Sequence, residues 1–381
     1  MEQVLLLWSA LVFILWLGVL FQWAVGSGRI EDLRELAVPD AEGLPSLSVI
    51  IPARNESTAI ADSLTSVLRG LPRNGEIILV DDRSLDGTGE IARTVGSGDD
   101  RLRVIRIEDL PEGWLGKNHA LNIGAASSAG EWLLFTDADV HYHKDCMARA
   151  LKFALDRGFD HLVVAPEMRT VGFWERTFEP VFLILLLTRL RAWRVNDPGS
   201  GSFLGIGAFN LMRRETYDRA GGMEALRDEV VDDLILGRNL RRTGARQGVV
   251  AGRDHLWVRW NVGLSGLIQG VEKNAYAAFG YRPTRAAAGC LALAAVTVVP
   301  VLSPLALSGW GALPGIGTWF VFALLYRMVG GFTDAPWTYF ITFPLGSLLI
   351  VYSILRSALL YHLRGGIVWR DTIYRDHGKG L

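Results

Sequence analysis

Long apolar stretches occupy both ends of this chain, and a segment of ordinary soluble composition separates them. Residues 4–25 contain no charged side chain, and about 20 apolar residues suffice to span a bilayer. The start, Met-Glu-Gln, lacks the basic residues that open a signal peptide, and the apolar run exceeds the roughly 7–15 residues of a signal sequence. The pattern therefore predicts a retained transmembrane anchor over residues 1–27.

The last third of the chain contains three more apolar stretches, at residues 286–307, 316–332 and 337–361. They predict a C-terminal transmembrane region of two or three spans over residues 284–363, followed by a basic tail over 364–381. Three spans after a cytoplasmic catalytic segment would put the tail outside, whereas its basic residues favour the inside. The sequence leaves the number of spans and the side of the tail open.

Between the apolar ends, short hydrophobic runs alternate with helical patterns. The runs predict strands at residues 47–51, 76–80, 102–107 and 132–135, and the patterns predict helices at 58–69, 88–95 and 118–127. This alternation predicts an α/β fold with a parallel sheet that helices cover on both faces. We assign this domain to residues 28–283.

A short apolar run within this domain is followed at once by basic and aromatic residues. The run covers residues 181–188, and three arginines and a tryptophan come next. This order is typical of a helix in the membrane interface, here over residues 179–194. A core helix with a solvated basic end explains the same pattern equally well.

Composition narrows the function classes. The net charge of −1 provides no basic field for binding nucleic acid. The two cysteines, Cys146 and Cys290, lie in different regions of the chain. A disulfide scaffold is therefore not expected, and a reducing compartment is compatible with the sequence.

Three pairs of acidic residues stand out in the soluble segment. They are Asp81 with Asp82, Asp137 with Asp139, and Asp232 with Asp233. The first two pairs follow predicted strands, and the carboxyl ends of neighbouring strands form the ligand-binding edge of an open α/β sheet. The arrangement predicts one site for a nucleotide, a divalent cation and a general base.

Polar residues follow the first two predicted strands: Pro52, Ala53, Arg54 and Glu56 after the first, and Asp81 and Asp82 after the second. The proline should end strand pairing, so that the residues after it line the sheet edge. Adjacent acids need hydrogen-bond donors or a cation, and a uracil N–H and ribose hydroxyls are suitable donors. Ordinary loops that cap the next helices are the alternative interpretation.

Several cations lie where they could bind a diphosphate. Lys117 follows Gly113 and Gly116 at a predicted helix start, where free N–H groups and the lysine suit phosphate. Arg259 and Lys273, just before the membrane segments, are candidate diphosphate contacts. A solvated lysine and juxtamembrane contacts to lipid headgroups are the alternatives.

Asp137 and Asp139 follow the fourth predicted strand. Alternation along an extended segment would send both carboxylates to the same face. Beside a pyrophosphate they can bind Mg²⁺ or Mn²⁺, which would stabilise the departing diphosphate. His141 and His143 could add ligands, although exposed loop histidines explain them as well.

The third acidic pair lies near the start of a predicted helix, which Asp228 can cap and Gly244 can end. Asp232 and Asp233 would gain from the helix dipole without any catalytic role. Either carboxylate could instead take a proton from an acceptor hydroxyl group.

Five motifs occur in the order typical of one enzyme family. They are IIPARNE, VDDRSLDGT, GKNHALNIG, FTDADV and VVDDL. With them, residues 46–275 resemble an inverting family 2 glycosyltransferase of the GT-A fold, a Rossmann-like domain that binds nucleotide sugars. The apolar segments at both ends resemble those of bacterial members that glycosylate lipids, such as hopanoid- and carotenoid-associated transferases.

The resemblance implies a role for each motif. The residues after the first strand would border the nucleotide, and Asp82 would meet the uracil ring with Asp81 in support. Lys117 would lie near the nucleotide or its phosphates. Asp137 would reach the ribose or the metal, and Asp139 would ligate the metal.

The resemblance also implies that Asp233 is the catalytic base. The family has Glu-Asp where this chain has Asp232-Asp233, which weakens any role for Asp232. The Q-x-x-R-W signature of processive polysaccharide synthases is absent, and Gln269 to Lys273 matches it only loosely. A single transfer to a lipid is therefore favoured over polymer synthesis.

We therefore expect a multi-pass protein of the cell membrane whose catalytic domain faces the cytoplasm. It would move a hexose from a UDP-hexose, or from GDP-mannose, to a hydroxyl group of a lipid acceptor. A polyprenyl-phosphate sugar transferase and a polysaccharide synthase are the alternatives. A sugar nucleotidyltransferase and a non-catalytic membrane scaffold are more remote ones.

Overall fold

The structure is a computed structural model, and it describes residues 1–39, 43–197, 199–369 and 372–374. Side chains are described throughout these ranges except at 273, 274, 367–369 and 372–374.

Helices and strands make up most of the described chain. The α-helices are α1 Glu2–Ser27, α2 Ile60–Gly70, α3 Thr88–Val95, α4 Gly116–Ala126, α5 Cys146–Arg157, α6 Phe173–Leu190, α7 Arg214–Arg219, α8 Asp232–Arg242, α9 Gly263–Ala275, α10 Pro283–Thr297, α11 Val299–Leu302, α12 Leu313–Val329 and α13 Phe343–Arg364. The strands are β1 Glu31–Asp32, β2 Leu47–Ala53, β3 Gly75–Asp82, β4 Leu102–Ile107, β5 Trp132–Phe135, β6 His141–Tyr142, β7 His161–Ala165, β8 Glu167–Met168, β9 Asn210–Arg213, β10 Gln247–Ala251, β11 Leu256–Val258, β12 Ile367–Trp369 and β13 Thr372–Tyr374.

The chain forms two compact units. The sheet unit contains Arg29–Met168 and Leu190–Arg259, and the helical unit contains Met1–Gly28, Arg169–Arg189 and Trp260–Leu381. The segment 28–283, which the sequence suggests as one domain, is thus divided between the two units. Most of α6 and all of α9 belong to the helical unit.

An eight-stranded sheet organises the sheet unit, in the order β1-β10-β7-β9-β5-β2-β3-β4. Neighbouring strands are parallel except at β9, which runs antiparallel to both β5 and β7. A smaller sheet has the order β6-β11-β8. Because β9 is reversed, the residues before it lie beside the residues that follow β5.

Alternate side chains of the central strands enter two hydrophobic cores. Val49 and Ile51 of β2 pack in one core with α2 and α5, whereas Ile50 packs in the other with α4 and α8. Strands that are covered on both faces are expected to be hydrophobic at every position. This explains why the runs at β2 and β3 show no polar alternation.

Most of the predicted elements of the sheet unit are present. The strands β4 and β5 and the helix α3 have the predicted bounds, and β2 to β5 lie parallel as predicted. The expectation of a wholly parallel sheet is wrong because of β9. An antiparallel neighbour needs no helical crossover, so strand–helix alternation in the sequence does not reveal it.

The expectation that Pro52 ends its strand is also wrong. Pro52 lies within β2 and pairs with Val80 of β3. Its backbone nitrogen faces the same neighbouring strand as that of Ile50, two residues earlier. The Ile50 carbonyl accepts from Thr136 N–H, so this neighbour is β5. Pairing with β5 stops at Phe135, so the missing N–H of the proline interrupts no bond to β5.

Within the residues that the structure describes, the helical unit contains four helical segments that are long and apolar enough to cross a membrane. They are Glu2–Ser27, Pro283–Leu305, Gly309–Val329 and Trp337–Arg364. Trp16 of α1 donates its indole N–H to the Val296 carbonyl at 2.8 Å and packs edge-on against Phe322. The predicted interfacial helix 179–194 corresponds to α6, which begins earlier, at Phe173, and ends at Leu190.

Replacing a central core residue should destabilise the protein strongly. Leu134→Ala removes a fully buried side chain from β5, and we expect a loss of about 2–5 kcal/mol of unfolding free energy. Thermal unfolding of the detergent-solubilised full chain measures the effect. Leu85→Ala is the matched control because Leu85 is 91% exposed, and equal losses in both variants would contradict the packing described above.

Candidate active site at the carboxyl edge of the sheet

Hydrogen bonds lock together the loops that follow β2 and β3. Asn55 N–H donates to Ser84 Oγ at 3.0 Å, and Leu85 N–H donates to Asn55 Oδ1 at 2.9 Å. Asn55 and Arg83 have positive φ angles of 54° and 57°, so each loop turns sharply at the sheet edge. The two loops therefore form one rigid wall of the site.

Asp81 supports this wall from inside the protein. Its carboxylate is fully buried, with Oδ2 at 3.2 Å from Arg106 Nη1. Its Oδ1 accepts from Ser84 N–H at 3.1 Å. Because both oxygens are engaged by the protein, Asp81 orients the loop.

Asp82 lies next to the start of α4. Arg83 Nε and Nη2 donate to its two oxygens at 2.7 and 3.1 Å, and Arg54 Nη1 lies 3.7 Å from Oδ2. A Cβ atom on Gly116 would lie 2.2 Å from Asp82 Oδ2, so only glycine allows this approach. The sequence does not reveal Arg83 as a site residue, because its position depends on a left-handed backbone that the residue type does not indicate.

Lys117, in the first turn of α4, is the central cation of the site. Its Nζ lies 2.7 Å from Asp137 Oδ1 and 3.6 Å from Asp232 Oδ2. Burial opposes the charge of Lys117, but Asp137, Asp232 and Asp233 outweigh this effect and raise its pKa above the usual range. Lys117 therefore stays protonated and joins the second acidic pair to the third.

Asp137 and Asp139 point away from the core on one short segment. Thr136, Ala138 and Val140 are buried, whereas Asp137 and Asp139 are partly exposed. The alternation of burial is as expected, although residues 138–139 form a turn instead of an extended segment.

The loop before β9 completes the surroundings of Asp137. Asp137 N–H donates to the Gly207 carbonyl at 3.1 Å. A Cβ atom on Gly207 would lie 2.5 Å from Asp137 Oδ2 and 3.1 Å from Lys117 Nζ. Gly207 is not among the residues that the motifs predict for the site, and the glycine-rich segment 199–207 is the signal in the sequence that points to it.

Backbone N–H groups orient Asp233 at the start of α8. Its Oδ2 accepts from Gly207 N–H at 2.9 Å, and its Oδ1 accepts from Leu234 N–H at 2.7 Å. The expectation that Asp228 caps this helix is wrong, because α8 begins at Asp232 and Val231 occupies the N-cap position. The acidic pair thus forms the first turn of the helix.

Burial and neighbouring charge make Asp233 a weaker acid. Burial raises its pKa to about 6, and the adjacent Asp232 charge acts in the same direction, whereas Lys117 opposes it. A carboxylate with a pKa near neutrality can accept a proton and release it again. The site therefore contains a suitable general base.

Asp139 lies in a region of excess negative charge. Burial raises its pKa to about 7, and the charges of Asp137 and Glu56 add to this shift. Carboxylates that share a site in this way are typical ligands of hard divalent cations. The donor set at Asp139 and Asp137 therefore fits Mg²⁺ or Mn²⁺.

The remaining predicted site residues lie in different places. Ala53 is buried, and Pro52 and Arg54 are partly buried at the end of β2. Arg259 follows β11 in the sheet unit, whereas Lys273 belongs to α9 of the helical unit, where its side chain is outside the described set.

Comparison with known proteins identifies the family. Residues 48–221 match the family model described as glycosyl transferase family 2. Two enzymes of Staphylococcus aureus, both named 4,4'-diaponeurosporenoate glycosyltransferase, are 29% and 28% identical to this chain over 196 residues. Residues 48–221 thus belong to a glycosyl transferase family 2 domain.

The glycosyltransferase spans about half the length of these curated relatives, and the match covers 50% of its own chain. A solved structure, the mannosyltransferase PcManGT from Pyrobaculum calidifontis in complex with GDP-Man and Mn2+, aligns with a TM-score of 0.60 at 17% identity. The alignment covers 94% of the glycosyltransferase and 99% of that chain. These results confirm the family 2 domain and the GT-A fold that the motifs predict.

A side chain at position 207 should disturb the site without unfolding the glycosyltransferase. In Gly207→Ala the new methyl group pushes Asp137 away from Lys117, and displacing a site group by about 1 Å can cost about 100-fold in rate. We expect the sugar-transfer rate to fall at least about tenfold. Gly201→Ala is the control, since a Cβ atom there meets nothing within 4 Å, and equal activity of both variants would refute the close approach.

Proposed function

We propose that this glycosyltransferase moves a hexose from a nucleotide sugar to a hydroxyl group of a lipid acceptor at the membrane surface, with inversion at the anomeric carbon. Asp233 carries the proposal. Its carboxylate is oriented by two backbone N–H groups, has a pKa of about 6, and lies in one charge cluster with Lys117 and Asp137. These are the properties of a general base beside an anion-binding site.

The nucleotide would lie along the loops after β2 and β3. Pro52, Ala53, Arg54 and Glu56 would border it, and Asp82 would accept an N–H of the base, with Asp81 behind it. UDP-hexose and GDP-mannose both fit, since uracil and guanine each present a ring N–H. The structural neighbour that binds GDP-Man makes the guanine nucleotide a donor worth testing beside UDP.

The charge balance of the site supports a metal. Four carboxylates lie near the ammonium group of Lys117, and their excess negative charge would repel a diphosphate. They belong to Asp137, Asp139, Asp232 and Asp233. Mg²⁺ or Mn²⁺ on Asp139 and Asp137 would offset this repulsion and stabilise the leaving group. Arg259, which follows β11 in the sheet unit, remains a candidate diphosphate contact.

The chain's own groups would direct the transfer. Asp233 takes the proton of the acceptor hydroxyl as its oxygen attacks the anomeric carbon, on the face opposite the diphosphate. The bond between that carbon and the diphosphate oxygen breaks in the same step. The diphosphate leaves with the electron pair, and Lys117 is placed to stabilise its charge. Asp232 raises the basicity of Asp233.

Membrane association supports a lipid acceptor. In the described part of the chain, four helices are long and apolar enough to span a bilayer. The curated relatives are named for a carotenoid-type acceptor, 4,4'-diaponeurosporenoate. A cytoplasmic catalytic face would give access to nucleotide sugars. An acceptor that is already ionised, such as a carboxylate or a polyprenyl phosphate, is the main alternative, since it has no proton to lose.

Incubation of the purified full chain with radiolabelled nucleotide sugars and membrane lipid extract tests the proposal. We expect label in an organic-soluble product that depends on a divalent cation. Asp233→Asn should lower this transfer by about 10²–10⁴-fold because the base is lost, and Asp232→Asn should lower it far less. Full activity of Asp233→Asn would instead indicate an ionised acceptor, and label in a large water-soluble polymer would indicate a polysaccharide synthase.

The pH dependence of kcat/KM should report Asp233. The base must be deprotonated, so we expect the rate to fall about tenfold per pH unit below the Asp233 pKa of about 6. Asp232→Asn removes a charge that raises this pKa, and should move the acidic limb to lower pH. A limb at the same pH in both proteins would exclude Asp233 as the titrating group.

A further inference from the structure

A second group of potential metal ligands lies outside the proposed sugar-transfer site. His143, Asp145 and His255 place one ligand atom each within 4.8 Å of one another. In the part of the chain that the structure describes, no other three side chains of histidine, cysteine, aspartate or glutamate bring their ligand atoms this close together. We propose that these three side chains bind a structural Zn²⁺ ion.

The arrangement converges on one carboxylate oxygen. His143 Nδ1 is in hydrogen-bonding contact with Asp145 Oδ1, and His255 Nε2 lies 3.5 Å from the same oxygen. In a tetrahedral zinc site with bonds of about 2.0–2.1 Å, ligand atoms lie about 3.3 Å apart. His255 Nε2 is therefore close to the required distance from Asp145. His143, whose side chain is 48% exposed, lies closer to the carboxylate and rotates away from it to make room for the ion.

A hydrogen bond determines which nitrogen of His255 is available. His255 Nδ1 lies 3.0 Å from the Arg253 carbonyl oxygen, which can only accept, so Nδ1 carries the proton. Nε2, which lies 3.5 Å from Asp145 Oδ1, is then the ring nitrogen that can bind a metal. A backbone carbonyl behind a histidine is the usual support of a metal ligand.

Asp145 is supported in the same way. Arg149 Nε donates to Asp145 Oδ2 at 2.7 Å, which leaves Oδ1 to face the histidines. Arg149 Nη1 also donates to the Leu33 carbonyl at 3.2 Å. The carboxylate is thus oriented as a monodentate ligand before any ion binds.

Backbone hydrogen bonds join the segments that carry these ligands, and they fix the positions of the ligands relative to one another. His143 N–H donates to the His255 carbonyl at 2.8 Å. The strands next to them, β6 and β11, are antiparallel, with Tyr142 opposite Leu256. Asp145 occupies the N-cap position of α5. A bound ion would therefore fasten β6, β11 and the start of α5 to one another.

The donor set favours zinc over the cation proposed for the sugar-transfer site. Two imidazole nitrogens and one carboxylate oxygen suit Zn²⁺, whereas Mg²⁺ prefers oxygen ligands alone. The exposed side of His143 leaves room for a water molecule as the fourth ligand. Because its ligands differ, this site does not depend on the proposed glycosyl transfer.

Zinc binding by the chelator-stripped full chain in detergent tests the proposal. Titration of zinc chloride against a chromophoric chelator should give one tight site per wild-type chain. His143→Gln and His255→Gln should each weaken it at least about tenfold. His119→Gln is the control, because His119 lies in α4 and outside the group. Cobalt(II) in place of zinc should give the intense visible absorption of a tetrahedral site in the wild type and in His119→Gln, but not in the two ligand variants.

Three results would overturn the proposal. The first is that the wild type binds no zinc tightly, and the second is that His143→Gln binds zinc with the wild-type affinity. The third is that Asp139→Asn loses zinc binding while His143→Gln retains it. The last result would place zinc at the sugar-transfer site and would leave the proposed function intact. Because His143 is exposed, His143→Gln decides the matter even if the buried His255 cannot be replaced without unfolding.

Discussion

The ammonium group of Lys117 is the interaction on which the site depends. It lies 2.7 Å from Asp137 and 3.6 Å from Asp232, and so joins a loop after β5 to the first turn of α8. Without a cation, the carboxylates of these two elements would repel one another across a partly buried space. One lysine in the first turn of α4 therefore allows three distant segments of the chain to share a site.

The same interaction leaves negative charge in excess, and this excess has a chemical use. Asp233 and Asp139 both have raised pKa values because they are partly buried beside other carboxylates. In the proposed function, Asp233 would be a base near neutrality, and the charge around Asp139 would be offset by a divalent cation. One electrostatic arrangement would then serve both proton removal from an acceptor and binding of a diphosphate.

Sequence reasoning reached the strands and the acidic motifs because both are local. The central strands are covered on both faces, so they appear as unbroken hydrophobic runs, and the acids mark the points where the runs stop. It failed at Pro52, where the end of β5 removes the need for an N–H, and at Asp228, where the helix begins four residues later. At Pro52 a neighbouring strand, and at Asp228 the local backbone, determined where the element begins or ends, which the residue type alone does not indicate.

The sequence by itself determined the α/β class, the apolar segments at both ends, and the five motifs that identify the family, since each depends on residue type and spacing within a short window. Only the tertiary structure decided that β9 runs antiparallel between β5 and β7. That reversal brings Gly207 against Asp137 and lets its N–H orient Asp233. Contacts such as these, between residues far apart in the sequence, arise from how strands pair, and strand pairing leaves no periodic trace in the sequence.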